Sequence, residues 1–147
     1  MNLRPVQLLL VEDSASDILL ITQTLREQPF PINVQVAVDG EKALQVFADG
    51  HFRPDLVILD LNIPKVHGFD VLRRCISPEM RIVVFSSSSN PDDLRRSFEL
   101  GAQEFVHKPI ALDEFRQQVT QIVRNWAPPH LVNAAGNQIG DLGTSAG

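Results

Sequence analysis

Leu56-Val57-Ile58-Leu59-Asp60 is four apolar side chains closed by one carboxylate. Such a run has no polar face, so it reads as a strand covered on both sides, the pattern of a parallel sheet. Three other short runs likewise lead into a polar group. Leu8-Leu9-Leu10-Val11 leads into Glu12-Asp13, Ile82-Val83-Val84-Phe85 leads into Ser86, and Phe105-Val106-His107 leads into Lys108-Pro109. A fifth segment, Asn33 to Val38, alternates and is β-branched, which is also a strand signal.

The intervals between these runs have helical period. Ser14-Ala15-Ser16-Asp17 supplies a helix start, with Ile18, Leu19, Ile21 and Leu25 behind it and Pro29 and Pro31 closing the stretch. Asp39-Gly40 turns the chain into a helix with Ala43, Leu44 and Phe47 inward, stopped by Gly50. Gly68 opens a short helix with Phe69, Val71 and Leu72, and Pro78 breaks the chain after it. Asn90-Pro91-Asp92-Asp93 combines a capping side chain, a first-turn proline and two acids at the positive end of the dipole; Gly101 suits the other end. The final helix carries Leu112, Phe115, Val119, Ile122, Val123 and Trp126 along one side. Five strands alternating with five helices predict an α/β fold: a doubly wound, five-stranded parallel sheet in a flavodoxin-like (βα)5 three-layer sandwich.

The chain has 147 residues, which suits one domain. The expected boundary is residues 1–126 for the domain and 127–147 for a flexible tail, because Pro128-Pro129 breaks the helix and Gly136 to Gly147 is small and polar without period. A net charge of −5 argues against a nucleic-acid partner, which needs a basic face. The lone Cys75 excludes an intrachain disulfide and a cysteine zinc site. No apolar run approaches the roughly eighteen residues of a membrane span, and no signal core precedes Gln7. The reading is a soluble, cytoplasmic protein with no membrane partner.

In an open parallel sheet, ligands sit beyond the carboxyl ends of the strands. The groups that end the apolar runs should therefore meet at one edge. Crowded carboxylates repel, and a divalent cation relieves them; hard oxygen donors suit magnesium. Asp60, at the end of the most apolar strand, is the candidate nucleophile, since an Asp carboxylate can form an acyl phosphate. Asp13 and Glu12 are the candidate metal ligands beside it, with a backbone carbonyl near Asn62. Lys108 offers an ammonium to a phosphoryl oxygen or to Asp60, and Ser86 offers a hydroxyl. A cis bond at Lys108-Pro109 is one way to fix the lysine's direction. Phe105 is either plain core or an aromatic that rotates inward when Ser86 is drawn to a phosphoryl group.

In combination, these motifs resemble the receiver domain of two-component response regulators, the CheY-like family. They are Val11-Glu12-Asp13-Ser14; Leu59-Asp60-Leu61-Asn62-Ile63-Pro64 with Gly68 following; Ser86-Ser87; Gly101-Ala102; and Phe105 three residues before Lys108-Pro109. The resemblance covers about Val6 to Trp126. It implies that Asp60 takes a phosphoryl group from a phosphohistidine of a sensor histidine kinase, with Mg2+ on Asp13, Asp60 and the carbonyl of Asn62. It gives Ser86, Phe105 and Lys108 the switching roles, and Pro64, Gly68 and Pro109 the loop geometry. Departures are Ser86 where the family often has Thr, Phe105 where it often has Tyr, Glu12 as the first acid, and a compact segment from Asp60 to Ser86. No effector region is expected in the short tail, so the chain resembles a single-domain regulator. Asn62-Ile63-Pro64 and Asn90-Pro91-Asp92-Asp93 resemble those partnered with bacterial phytochrome kinases.

Three other readings compete. A haloacid-dehalogenase-like aspartyl phosphatase wants a second Asp two residues after the nucleophile, where this chain has Asn62. A flavodoxin-like binding module would cradle a phosphate after the first strand, where Glu12-Asp13 repels it. A docking receiver that is never phosphorylated leaves the acid, hydroxyl and lysine set without a use. The kinase face is expected near Ser16 to Leu25. The output face is expected at Pro91 to Trp126, where Leu112, Phe115 and Trp126 suit either core or a homodimer contact, with Arg95-Arg96 and Arg116 as ion-pairing candidates across it.

Overall fold

The computed structural model describes residues 3–74 and 77–133. Five strands and five helices alternate along it: β1 (Val6–Val11), α1 (Ala15–Arg26), β2 (Ile32–Ala37), α2 (Gly40–Asp49), β3 (Leu56–Leu59), α3 (Gly68–Arg74), β4 (Arg81–Ser86), α4 (Pro91–Glu99), β5 (Glu104–His107) and α5 (Leu112–Trp126). The sheet is parallel throughout, in the order β2-β1-β3-β4-β5. The expected doubly wound α/β architecture is the one observed.

Burial explains why the strands read so plainly. All four residues of β3 are buried, as are the last four of β1, because helices cover both faces of the sheet. One apolar cluster joins α1 and α5 to the sheet through Ile21, Leu25, Phe115, Val119 and Ile122. The other joins the opposite face to Ala43 of α2 and to Val71 and Leu72 of α3. Edge strand β2 shows more exposed positions, and its register with β1 pairs Val6 with Ile32 and Val11 with Ala37. That pairing sets its span one residue earlier than the sequence suggested.

The caps fall where the polar side chains predict. Ser14 Oγ accepts from the Asp17 N–H at 3.4 Å, Asp39 from the Lys42 N–H at 2.8 Å, and Asn90 from the Asp92 N–H at 3.0 Å. Gly50 and Gly101 take φ of 75° and 105°, left-handed values at which glycine closes a helix without a Cβ clash.

The boundary expected at Trp126 needs correcting. Ala127 and Leu131 are buried in the α1/α5 cluster, and residues 129–133 form a short helical turn. The diproline bends the chain back onto the core, with Pro129 at the start of the new turn, where its missing N–H costs nothing. The remainder of the expected tail, residues 134–147, and Cys75 lie outside the described residues.

Candidate functional site

Strand β2 leaves β1 on one side and β3 joins it on the other, so the crevice lies beyond the ends of β1 and β3. Backbone bonds carry the acids to it. Glu12 N–H donates to Ala37 O at 3.0 Å, and Asp60 N–H donates to Val11 O at 3.0 Å. The Lys108 N–H donates to Ser86 O at 2.8 Å, which carries the β4–β5 ladder one residue further. Residues nearly a hundred positions apart thus meet at one sheet edge.

The Lys108 ammonium sits 2.6 Å from Glu12 Oε2, 3.0 Å from Asp60 Oδ2 and 2.9 Å from Asp17 Oδ2. Glu12, Asp60 and Lys108 are all buried, whereas Asp13 is exposed. Glu12, Asp13 and Asp60 each present an oxygen within 4.8 Å of the others. The other oxygen of Asp60, Oδ1, accepts from the Asn62 N–H at 3.2 Å.

One ammonium cannot neutralise two buried carboxylates. Burial is the largest influence on Glu12 and pushes its pKa up to about 7, with the charge of Asp60 adding to the rise against the opposing pull of Lys108 and the Ser14 N–H. Burial pulls Lys108 down, but hydrogen bonds to Glu12 and Asp17 and the charge of Asp60 outweigh it, so the lysine lies above its ordinary value and stays protonated.

Ser86 is fully buried, and its Oγ accepts from the Ser88 N–H at 3.3 Å. Ser88 in turn donates to Asp93 in the first turn of α4, tying this loop to that helix. Phe105 is half-buried and packs on the cluster that faces α2 and α3. Pro64 O accepts from the Gly40 N–H at 3.2 Å. Gly68 N–H donates to Leu61 O at 3.1 Å, bringing the start of α3 onto the backbone that follows Asp60.

Two glycines make that loop fit. A Cβ at Gly68 would stand 2.6 Å from Leu61 Cα and 3.0 Å from Asp60 O, and a Cβ at Gly40 would run into Val66. Backbone cannot yield as a side-chain tip can. Gly68→Ala is therefore expected to lower stability by about 2 kcal/mol, read as a fall in the urea midpoint at unchanged slope.

Several expectations change. Among the described residues no peptide bond is cis, so the lysine's direction comes from the β5 register and its three carboxylate partners. Phe115 is core, and Trp126 is half-buried with its indole N–H on Glu104, leaving Leu112 as the exposed member of that trio. The arginines offered for a dimer are engaged within the chain: Arg95 with Asp92 and Glu99, Arg116 with Glu27, and Arg96 over the Phe69 ring. Asp17 and Gly40 were read only as helix-start residues. Their contacts with residues 108 and 66 depend on tertiary packing, which a one-dimensional pattern does not carry.

The sequence matches the response regulator receiver domain over residues 8–120. This chain belongs to the response regulator receiver family. Among solved structures, the receiver is similar to the phosphorylated cyanobacterial phytochrome response regulator RcpA (32% identity, TM-score 0.78, covering 84% of this chain and 94% of that one). It is also similar to the Mn2+-bound response regulator Rcp1 (31% identity, TM-score 0.77, covering 83% and 94%). Among curated proteins it is 30% identical to the probable methanogenesis regulatory protein FilR2 of Methanothrix harundinacea, over 83% of this chain and 84% of that protein. A protein-glutamate methylesterase of Geobacter sulfurreducens is 37% identical, but the receiver spans only 29% of its length. The receiver is a signalling domain of two-component response regulators. Among the described residues no helix is long and apolar enough to cross a membrane.

Proposed function

We propose that Asp60 is the phosphoryl acceptor, loaded from a phosphohistidine of a sensor histidine kinase. One observation carries this reading: a lysine ammonium 3.0 Å from a buried aspartate, within a crowd of acids it cannot neutralise alone. In the transfer, an Asp60 carboxylate oxygen forms the new P–O bond while the donor's P–N bond breaks and its electron pair leaves with the imidazole nitrogen. Lys108 neutralises charge on the transferring group, and the Asn62 N–H orients the carboxylate through Oδ1. Ser86 leaves its Ser88 N–H contact to donate its hydroxyl to the new phosphoryl oxygen. That release loosens the Ser88–Asp93 tie to α4, while Phe105 moves inward.

Mg2+ fits the donor set, since three hard carboxylates converge within 4.8 Å. Glu12, Asp13 and Asp60 would hold it with the carbonyl of Asn62. When bound, it supplies the positive charge that the acid crowd lacks. The phosphorylated and Mn2+-bound states named for the two similar response regulators support both parts of this reading. For the kinase contact we propose a groove of about 440 Å3 between α1 and the β5–α5 loop, a reading supported by the exposure of Leu19, Ile110 and Leu112 beside Asp17 and Lys108. A phytochrome kinase is the kind of donor that the similar structures favour. For a homodimer contact we propose the Pro91–Trp126 face, a reading supported by the exposure of Leu94 and Phe98 on α4.

The test is incubation with acetyl phosphate and Mg2+. Intact mass should rise by one phosphoryl group, hydroxylamine should remove it, and chelator should prevent it. No uptake in the presence of Mg2+ rules the reading out.

A pH dependence follows from Glu12. Cation binding needs the carboxylate form, so Mg2+ affinity should fall as pH drops through about 7 and level off above it, by calorimetric titration. Without added cation the sign for folding is reversed. A raised folded-state value means stability is lost as pH rises from the ordinary carboxylate range through about 7.

A further inference from the structure

An ammonium has three N–H donors. In Lys108 each meets a carboxylate from a different element: Glu12 after β1, Asp60 after β3 and Asp17 on α1. The first two belong to the acid group that suits a cation; Asp17 does not. Its own N–H already serves the helix cap on Ser14, which leaves the carboxylate free to reach across to β5. An acid in the first turn is favourable for the helix wherever its side chain points, so the cap does not require this reach.

We propose that Asp17 is a positioning residue for phosphoryl transfer: from the α1 side it takes the third donor of Lys108 and holds the ammonium against Asp60. The proposal rests on the acceptor reading above. A lysine is a point charge on a flexible four-carbon stem. With two acceptors its ammonium still shares a donor with water; with three it is fixed, and a fixed charge assists without reorganising during the transfer. Asp17 and Lys108 also line the α1 groove together with Leu19 and Ile110. A donor seated there touches the lysine's anchor as it presents its phosphoryl group.

The test compares wild type, Asp17→Asn and Asp17→Glu. Lys42 and Lys65, the other lysines of the chain, are exposed, so the protected 15N ammonium signal should be that of Lys108, checked by its loss in Lys108→Arg. Without added divalent ion, Asp17→Asn should speed exchange of that ammonium with water about tenfold. It should also lower the rate constant with acetyl phosphate and Mg2+ about tenfold. Asp17→Glu should recover part of both. The Asp17 side chain is 27% exposed, so Asp17→Asn should keep the thermal midpoint, which a structural role would move. Unchanged ammonium exchange in Asp17→Asn overturns the proposal, and so does faster exchange with an unchanged rate. A wild type that takes no phosphoryl group sinks the acceptor reading and the proposal together. A wild type that is labelled, with Asp17→Asn labelled equally fast, sinks the proposal alone.

Discussion

Asp60→Asn should reduce phosphoryl uptake to background while making the cation-free protein more stable. The first half follows from chemistry: an amide oxygen in this position does not form an acyl phosphate. The second follows from charge. Glu12, Asp17 and Asp60 surround one ammonium, Asp13 lies within 4.8 Å of the Glu12 and Asp60 oxygens, and Asp60 is buried beside Glu12. Removing the Asp60 charge takes away one of the influences that raise the Glu12 pKa, so Glu12 ionises with less opposition. The neutral amide oxygen is a much weaker acceptor for Lys108 than the carboxylate it replaces. A gain of about 1 kcal/mol is expected, read by urea unfolding with chelator present, and it should shrink once Mg2+ is added to the wild type. Loss of labelling accompanied by a large loss of stability would point to misfolding and remove the inference about the acceptor.

The second large effect is at Lys108. Lys108→Ala leaves Glu12 and Asp60 buried with no cation of their own, and stranding buried charge in this way costs about 3 kcal/mol. The size of the loss should depend on pH. Without the ammonium, Glu12 holds its proton to higher pH, so the carboxyls share their burden with a proton in acid and lose it in base. The stability gap between wild type and variant should therefore be small near pH 5 and widest near pH 8. Wild-type Lys108, raised above its ordinary value, contributes fully below the unfolded lysine pKa and loses that contribution only in strong base. Denaturant midpoints at the two pH values decide it; a gap independent of pH would mean that the lysine acts through packing of its stem. Labelling by acetyl phosphate should drop in the variant as well, since charge on the transferring group then lacks its counterpart.

Much of the fold can be read directly because this sheet is covered on both faces. Burial on two sides demands unbroken apolar runs such as Leu56 to Leu59, and parallel connections demand helices between them. The polar residue that ends each run is then carried to one edge by register alone. Asp60 and Glu12 ride on backbone bonds to their neighbours, and Lys108 rides on its bond to Ser86 O. The illegible parts are those decided by how one layer leans on another. Asp17 meets Lys108 across 91 positions because of the angle at which α1 lies on the sheet, and no periodicity encodes that angle. Gly40 looks like an ordinary turn residue until Val66 is found against it. Pro128-Pro129 looks like an ending, yet the chain folds back to bury Leu131. A breaker pair marks a change of direction, and whether anything packed follows depends on surface left open elsewhere.

The sheet separates two apolar layers, one shared by α1 and α5 and the other reaching α2 and α3. The groove beside Lys108 opens between α1 and the β5–α5 loop, while Ser88 hands its hydrogen bond to α4. Under the reading proposed above, the groove that would seat the donor and the α4 side are different surfaces. If Asp60 takes the phosphoryl group as proposed, a donor still seated in that groove would leave the α4 side uncovered.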